Sequence, residues 1–163
     1  MIKKTCGFTG YRPHKLPFDS EESPRCKLLK AAISRAVMRA IDDGYSHFIC
    51  GFAPGSDMYF AEAVLEAKKE CPHIILESAL PCETQANKWR EEVRRRYFDL
   101  LAKCDKETCI SHSCKKDCYL KRNDYMLNKA DRIIAVYDGK RGGTMYTVNR
   151  AKRMGKELIV IEP

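Results

Sequence analysis

The chain is first informative for what it lacks. No apolar run in its 163 residues approaches the roughly 20 needed to cross a bilayer, so no membrane span is expected. The opening MIKKTCGFTG passes straight into a strand pattern, without the apolar stretch of a secretion signal, and the expectation is a cytoplasmic chain. Neither G-x-G-x-x-G nor G-x-x-x-x-G-K-[ST] occurs, which argues against a conventional dinucleotide dehydrogenase and against a P-loop NTPase. His14, His47 and His73 stand alone, with no serine, cysteine or aspartate arranged for a nucleophilic triad. There is one tryptophan, Trp89, and there is no repeat, low-complexity tract or linker.

What is present fits a single domain over residues 1–163, with 44% hydrophobic and 32% charged residues. The nine cysteines are odd in number and mostly fall inside strand or helix patterns, so they read as reduced thiols. A net charge of +8 favours polyanions, nucleotides or acidic surfaces, although much of it lies on helices where it is a solvated face.

Short apolar runs alternate with helical patterns. Strands are predicted over residues 3–8, 47–50, 74–79, 107–111, 132–136 and 157–161. Helices are predicted over 23–43, 57–69, 84–103, 115–129 and 145–154, the first ended by Gly44 in left-handed conformation. Strand–helix alternation with nearly continuous apolar strands predicts an α/β fold: one Rossmann-like, three-layer domain with a mostly parallel sheet.

On that plan every glycine-rich turn falls at the carboxyl edge of the sheet, where open α/β folds form their ligand crevice. GFTGYRPHK (7–15) leaves the first strand, GFAPGSD (51–57) the second, ALPCETQANKW (79–89) the third and YDGKRGGTMYT (137–147) the fifth. Two of these turns open a helix directly, and a helix start offers unpaired N–H groups and a positive dipole to a phosphate. Ser56 and Thr144 can add hydroxyl donors, and Arg12 and Arg141 a guanidinium fork matched to phosphate oxygens. The same residue types also serve as ordinary turns and N-caps. Their concentration at one edge is what points to a ligand site.

GFTGYRPHKL, GFAPGSDMYFAEAVLE, CETQANKW, KRNDYMLNKADRIIAVYDGKRGGT and AKRMGKELIVI together resemble the YpsA-like family of the SLOG superfamily, which takes its name from the DNA-processing protein DprA (Smf) and the cytokinin-activating LOG enzymes. The resemblance implies a Rossmann-like fold and a site for a nucleotide or nucleotide-derived ligand such as ADP-ribose, NAD or a nucleoside monophosphate. The matching positions are Thr9, Gly10 and Arg12, then Gly51, Gly55, Ser56 and Asp57. They continue with Glu83, Gln85 and Trp89, with Arg122 and Asn123, and with Gly142, Gly143 and Thr144. Trp89 is either a stacking surface for a base or a core aromatic. Glu83 and Gln85 either bond a ribose or base edge or cap a helix. Asp57 would repel a phosphate, so it is assigned to a ribose hydroxyl or to capping.

One departure bears on chemistry. LOG-type enzymes carry a glutamate shortly after their Gly-Gly-x-Gly-Thr turn, whereas GGTMYTV supplies Met145, Tyr146 and Thr147. A glycosidic hydrolase needs a group that stabilises the sugar cation or positions water, and only Glu83 or Asp57 remains to substitute. The leading expectation is therefore a binding or sensing protein. The alternatives are a hydrolase of N-glycosidic or phosphate bonds in nucleotides, and a DprA-like single-stranded DNA binder. Expected partners are a small phosphorylated ligand, single-stranded nucleic acid in the last alternative, or a second copy of the chain.

Two further signals are weighed. CDKETCISHSCKKDC (104–118) holds four cysteines and His112, but its spacings differ from the paired C-x₂₋₄-C of structural zinc, and no metal site is expected. KWREEVRRRYFDLLAK (88–103) is basic and aromatic, yet Val93, Tyr97, Leu100 and Leu101 form an ordinary amphipathic stripe that leaves the arginines to solvent.

Overall fold

A computed structural model describes residues 3–163. It shows a six-stranded sheet of order β4-β3-β2-β1-β5-β6, every neighbouring pair parallel. The strands are β1 (Lys4–Gly10), β2 (Tyr45–Cys50), β3 (Ile75–Leu80), β4 (Lys106–Cys109), β5 (Arg132–Val136) and β6 (Glu157–Ile161). Between them run α1 (Pro24–Asp42), α2 (Ser56–Glu70), α3 (Glu91–Lys103), α4 (Cys118–Lys129) and α5 (Gly143–Arg153). This is the Rossmann-like α/β arrangement that the alternating pattern predicts. No helix among the described residues is long and apolar enough to cross a membrane.

The two faces of the sheet are separated by residue parity. Cys6, Phe8, Phe48, Cys50, Leu76, Leu80, Ile134 and Val136 turn to one face, where they pack with Leu29, Ile33 and Val37 of α1, Phe60 and Val64 of α2, and Tyr97 and Leu100 of α3. Ile49, Ala79 and Ile133 turn to the other, against Met126 and Leu127 of α4 and Ala151 of α5. Alternating strand residues thus feed two apolar layers, which is why these strands read as continuous hydrophobic runs.

Helix starts follow local chemistry. Ser23 accepts the Arg25 N–H and Pro24 sits at the first position of α1, while Gly44 ends that helix at φ 93°. α3 begins seven residues later than expected, because residues 84–88 form turns and Glu91 and Glu92 occupy the first helical turn. α4 begins at Cys118 rather than at 115.

The chain builds outward from β1 through β2 and β3 to β4, then returns to lay β5 on the other side of β1. The reversal lies between β1 and β5. There the turns after two adjacent strands diverge to opposite faces and leave a crevice at the carboxyl edge.

Candidate functional site

A cavity of about 280 Å³ occupies that crevice, near the lower end for small-molecule sites. Its walls are the end of β1 and the segment after it as far as Lys15, Ala53 after β2, Asp57 in the first turn of α2, one face of α4, and the first residues of α5. Three cations, Arg12, Lys15 and Arg122, line it against one carboxylate, Asp57. The balance favours an anion.

The start of α5 is open. Gly142 holds φ 144° and places no side chain over the helix end. Among the described residues the amides of Gly143, Thr144 and Met145 have no acceptor; the first amide satisfied is that of Tyr146, by the Gly142 carbonyl at 3.1 Å. The Thr144 side chain is buried at the cavity wall, and its hydroxyl makes no hydrogen bond among the described residues. Lys15 Nζ lies over Gly142 and donates to the Arg141 carbonyl, where any larger residue at 142 would collide with it.

The start of α2 is closed. Gly55 has φ 85°, and a methyl there would stand 2.9 Å from the Tyr11 carbonyl oxygen. That carbonyl accepts both the Ser56 N–H at 3.1 Å and the Ser56 hydroxyl at 2.8 Å. Ser56 is fully buried and does not line the cavity. Its hydroxyl, expected as a free donor to a ligand, is used to join α2 to the segment after β1. Asp57 accepts the Ala53 N–H at 3.1 Å, so it ties its own turn while also facing the cavity. Burial pushes its carboxyl pKa up, opposed in part by Arg122 and by that amide.

Tyr11 fixes the geometry between the two turns. Its buried hydroxyl donates to Asp138 Oδ1 at 2.8 Å and accepts the Asp138 and Lys140 amides at 3.1 and 2.9 Å. One side chain thereby holds the loop after β5 on the loop after β1.

Arg12 and Arg122 both approach the Tyr119 ring, at 5.2 and 5.7 Å from its centroid. Arg122 donates to the Gly51 and Ala79 carbonyls at 3.0 and 3.3 Å and to Asn123 Oδ1 at 3.0 Å. Burial pushes its pKa down, Asp57 opposes this and the Arg12 charge adds to it. An anion between the two guanidinium groups would relieve their repulsion.

Of the positions singled out in the sequence, Thr9, Gly10, Arg12, Asp57, Arg122, Asn123, Gly143 and Thr144 meet at the cavity. Gly51, Gly55, Ser56 and Gly142 lie just behind it as turn residues. Glu83, Gln85 and Trp89 do not reach it. Trp89 packs edge-on against Tyr97 at 5.1 Å, because the turns over 84–88 fold it onto α3. Of the two roles expected for Trp89 the structure displays the packing one, with the indole partly buried against the core and away from the cavity. Gln85 donates to the Gly51 carbonyl at 3.3 Å, and Glu83 is exposed beside His112. Tyr11, His14, Lys15, Tyr119 and Met126 also line the cavity. The helical spacing of Tyr119, Arg122, Asn123 and Met126 places them on one face of α4, and that periodicity was the signal available for Tyr119 and Met126.

Outside the cavity, Arg94 and Arg95 are exposed, and Arg96 is held by Glu62 at 2.6 Å and Glu21 at 2.7 Å. In the cysteine-rich segment, Cys114 and Cys118 meet Cys82, while Cys104 and Cys109 bond elsewhere, to Leu101 and Ser111 carbonyls.

Residues 6–160 match the model of the YspA SLOG family. The UPF0398 protein of Brevibacillus brevis is 28% identical over 138 residues, covering 83% of this chain and 73% of that protein. Among solved structures, DNA processing protein A of Streptococcus pneumoniae superposes with TM-score 0.62 at 15% identity, over 99% of this chain and 51% of that one. A structure described for its single-stranded DNA binding mode, DNA processing protein A of Helicobacter pylori, gives TM-score 0.63 at 18% identity, over 98% and 66%. At these identities the two structures show a shared fold.

Proposed function

The chain belongs to the YspA SLOG family, and from that premise we propose that it binds a phosphorylated, nucleotide-derived small molecule in the crevice between β1 and β5. The observation that carries this reading is the open start of α5: Gly143 and Thr144, whose amides have no acceptor among the described residues, line a cavity together with Arg12, Lys15 and Arg122. A phosphate there meets donors already in place, so little ordering is needed on binding. The sugar and base would extend along α4 past Tyr119 and Asn123, away from Trp89.

Binding is favoured over hydrolysis by the single carboxylate of the lining. Asp57 is spent on the Ala53 amide, and the first turn of α5 carries Met145 and Tyr146 where a LOG enzyme has its glutamate. Single-stranded nucleic acid offers the same phosphate chemistry and is the second reading. It is supported by the net charge of +8 and by the DNA-binding neighbour of like fold.

A thermal-shift series with ADP-ribose, NAD, nucleoside monophosphates, cyclic dinucleotides and short single-stranded oligonucleotides tests both. Saturating ligand at about 100 times its Kd adds about 2.7 kcal/mol, an easily read rise in Tm. Stabilisation by a mononucleotide-sized compound, lost in Arg12→Ala, supports the first reading. Stabilisation by oligonucleotides alone, falling steeply with salt, supports the second. Free base or ribose phosphate released from AMP or ADP-ribose, and absent in Asp57→Asn, would replace both with an enzyme.

A further inference from the structure

Three sulfurs from separated parts of the chain converge beside the α4 wall of the cavity. Cys82 follows β3, Cys114 lies in the loop before α4, and Cys118 is the first residue of α4. Their Sγ atoms all lie within 4.8 Å of one another, with those of Cys82 and Cys114 in contact. Cys82 and Cys118 are fully buried and Cys114 is exposed. We propose that these three cysteines form a binding site for a soft divalent cation of the zinc class.

The chemistry of the donors argues for this. Thiolates about 2.3 Å from a tetrahedral zinc stand roughly 3.8 Å from one another, so the touching sulfurs of Cys82 and Cys114 would part around the ion while that of Cys118, within 4.8 Å of both, completes the triangle. Thiolate sulfur selects zinc over magnesium or calcium, which take oxygen donors. The two buried sulfurs have little other polar company. Cys82 Sγ has the Thr84 hydroxyl at 3.8 Å, and Cys118 Sγ has no hydrogen-bond partner among the described residues. Thr84 also donates to Cys114 Sγ at 3.5 Å, an outer contact of the kind that orients metal-bound thiolates.

The fourth position is open to water, because His112 lies outside the cluster and faces solvent. Its Nδ1 lies 3.2 Å from Glu83 Oε1, and Glu83 directly follows Cys82. The spacing within 104–118 conceals the site because one ligand arrives from 32 residues before Cys114. A cation here would clip the loop after β3 to the first turn of α4, one residue before Tyr119 and four before Arg122. The site stands apart from the proposed nucleotide reading and is tested separately.

The experiment uses the full chain, purified with a thiol reductant and without a polyhistidine tag. Elemental mass spectrometry is expected to find about one zinc per chain, and cobalt(II) substitution to give the intense visible bands of a tetrahedral thiolate site. Cys114→Ala changes an exposed side chain, so its fold is retained, and its zinc affinity is expected to fall at least about tenfold. Cys118→Ala, checked for folding by circular dichroism, is expected to behave alike, whereas Cys109→Ala keeps wild-type zinc. Wild-type protein that retains no zinc after incubation with a zinc salt overturns the proposal. So does Cys114→Ala binding as tightly as wild type, or protein alkylated at lysis whose mass shows Cys82 and Cys114 joined as a disulfide.

Discussion

α2 and α5 begin at the same sheet edge, each after a turn with glycine at positive φ, and they end up in opposite states. At α2 the Tyr11 carbonyl takes the Ser56 amide and hydroxyl, and the helix end becomes an internal joint. At α5 no carbonyl arrives among the described residues, and Gly143 and Thr144 line the cavity with their amides unpartnered. The glycines alone therefore do not make an anion site. What decides is whether a neighbouring acceptor already occupies the donors. The Tyr11 residue links the two outcomes: its carbonyl closes one helix start while its hydroxyl positions the loop that leads to the other.

If this contrast is right, the closed start responds to mutation in stability and the open one in affinity. Gly55→Ala forces a side chain to φ 85° and against the Tyr11 carbonyl, and is expected to cost about 3 kcal/mol in urea unfolding. Gly143→Ala meets nothing closer than Asn123 at 3.8 Å and is expected to leave the unfolding midpoint nearly unchanged. Equal losses from the two would dissolve the comparison.

Tyr11→Phe removes one donated and two accepted hydrogen bonds and is expected to lower stability by about 2 kcal/mol. Because the loop before α5 loses its anchor, ligand affinity is expected to fall as well, measured by calorimetry with whichever nucleotide stabilises wild type.

Thr144→Val keeps shape and removes a hydroxyl that has no partner in the chain. The expected result is unchanged stability and about tenfold weaker phosphate binding, near 1.4 kcal/mol. Ser56→Ala is its mirror: about 1 kcal/mol of stability lost and affinity unchanged. A loss of affinity in Ser56→Ala with none in Thr144→Val would reverse the assignment of the two starts.

The smallest effect concerns Asp57 and pH. Its folded pKa is raised above the ordinary 3.8, so the folded state holds a proton that the unfolded chain has released. This contribution favours folding at low pH and is lost as pH rises from 3.8 through the folded value. Asp57→Asn removes the titration. The difference between the two proteins in denaturant unfolding is therefore expected to move in the mutant's favour as pH climbs through that range.

The alternation of strands and helices was legible because the central strands are buried on both faces; Ile133 to Val136 in β5 is an unbroken apolar run. The boundaries of α3 and α4 were not legible, since Thr84 to Lys88 is helix-compatible in composition yet forms turns. Within the crevice, Arg12, Arg122, Asn123 and Thr144 were found by motif. Ser56 was also named, but which acceptor its hydroxyl meets depends on Tyr11, 45 residues away, and no local pattern encodes that. Trp89 stayed between two roles for a similar reason: its partner Tyr97 is chosen by the turn before α3. The cysteine cluster was hidden because spacing rules look along the chain, and Cys82 joins from across the sheet edge.

A methyl group at position 51 would sit 2.0 Å from Nη1 of Arg122. The bare backbone there is a socket, and the guanidinium that fills it is held back against the cavity wall by the Gly51 and Ala79 carbonyls. Positions 51 and 122 consequently form one unit of change. Bulk added at 51 would push that positive charge off its two carbonyls and leave them unpaired, while a shorter residue at 122 would leave a hollow. The charge that an incoming anion encounters is thus metered by a residue that never touches it.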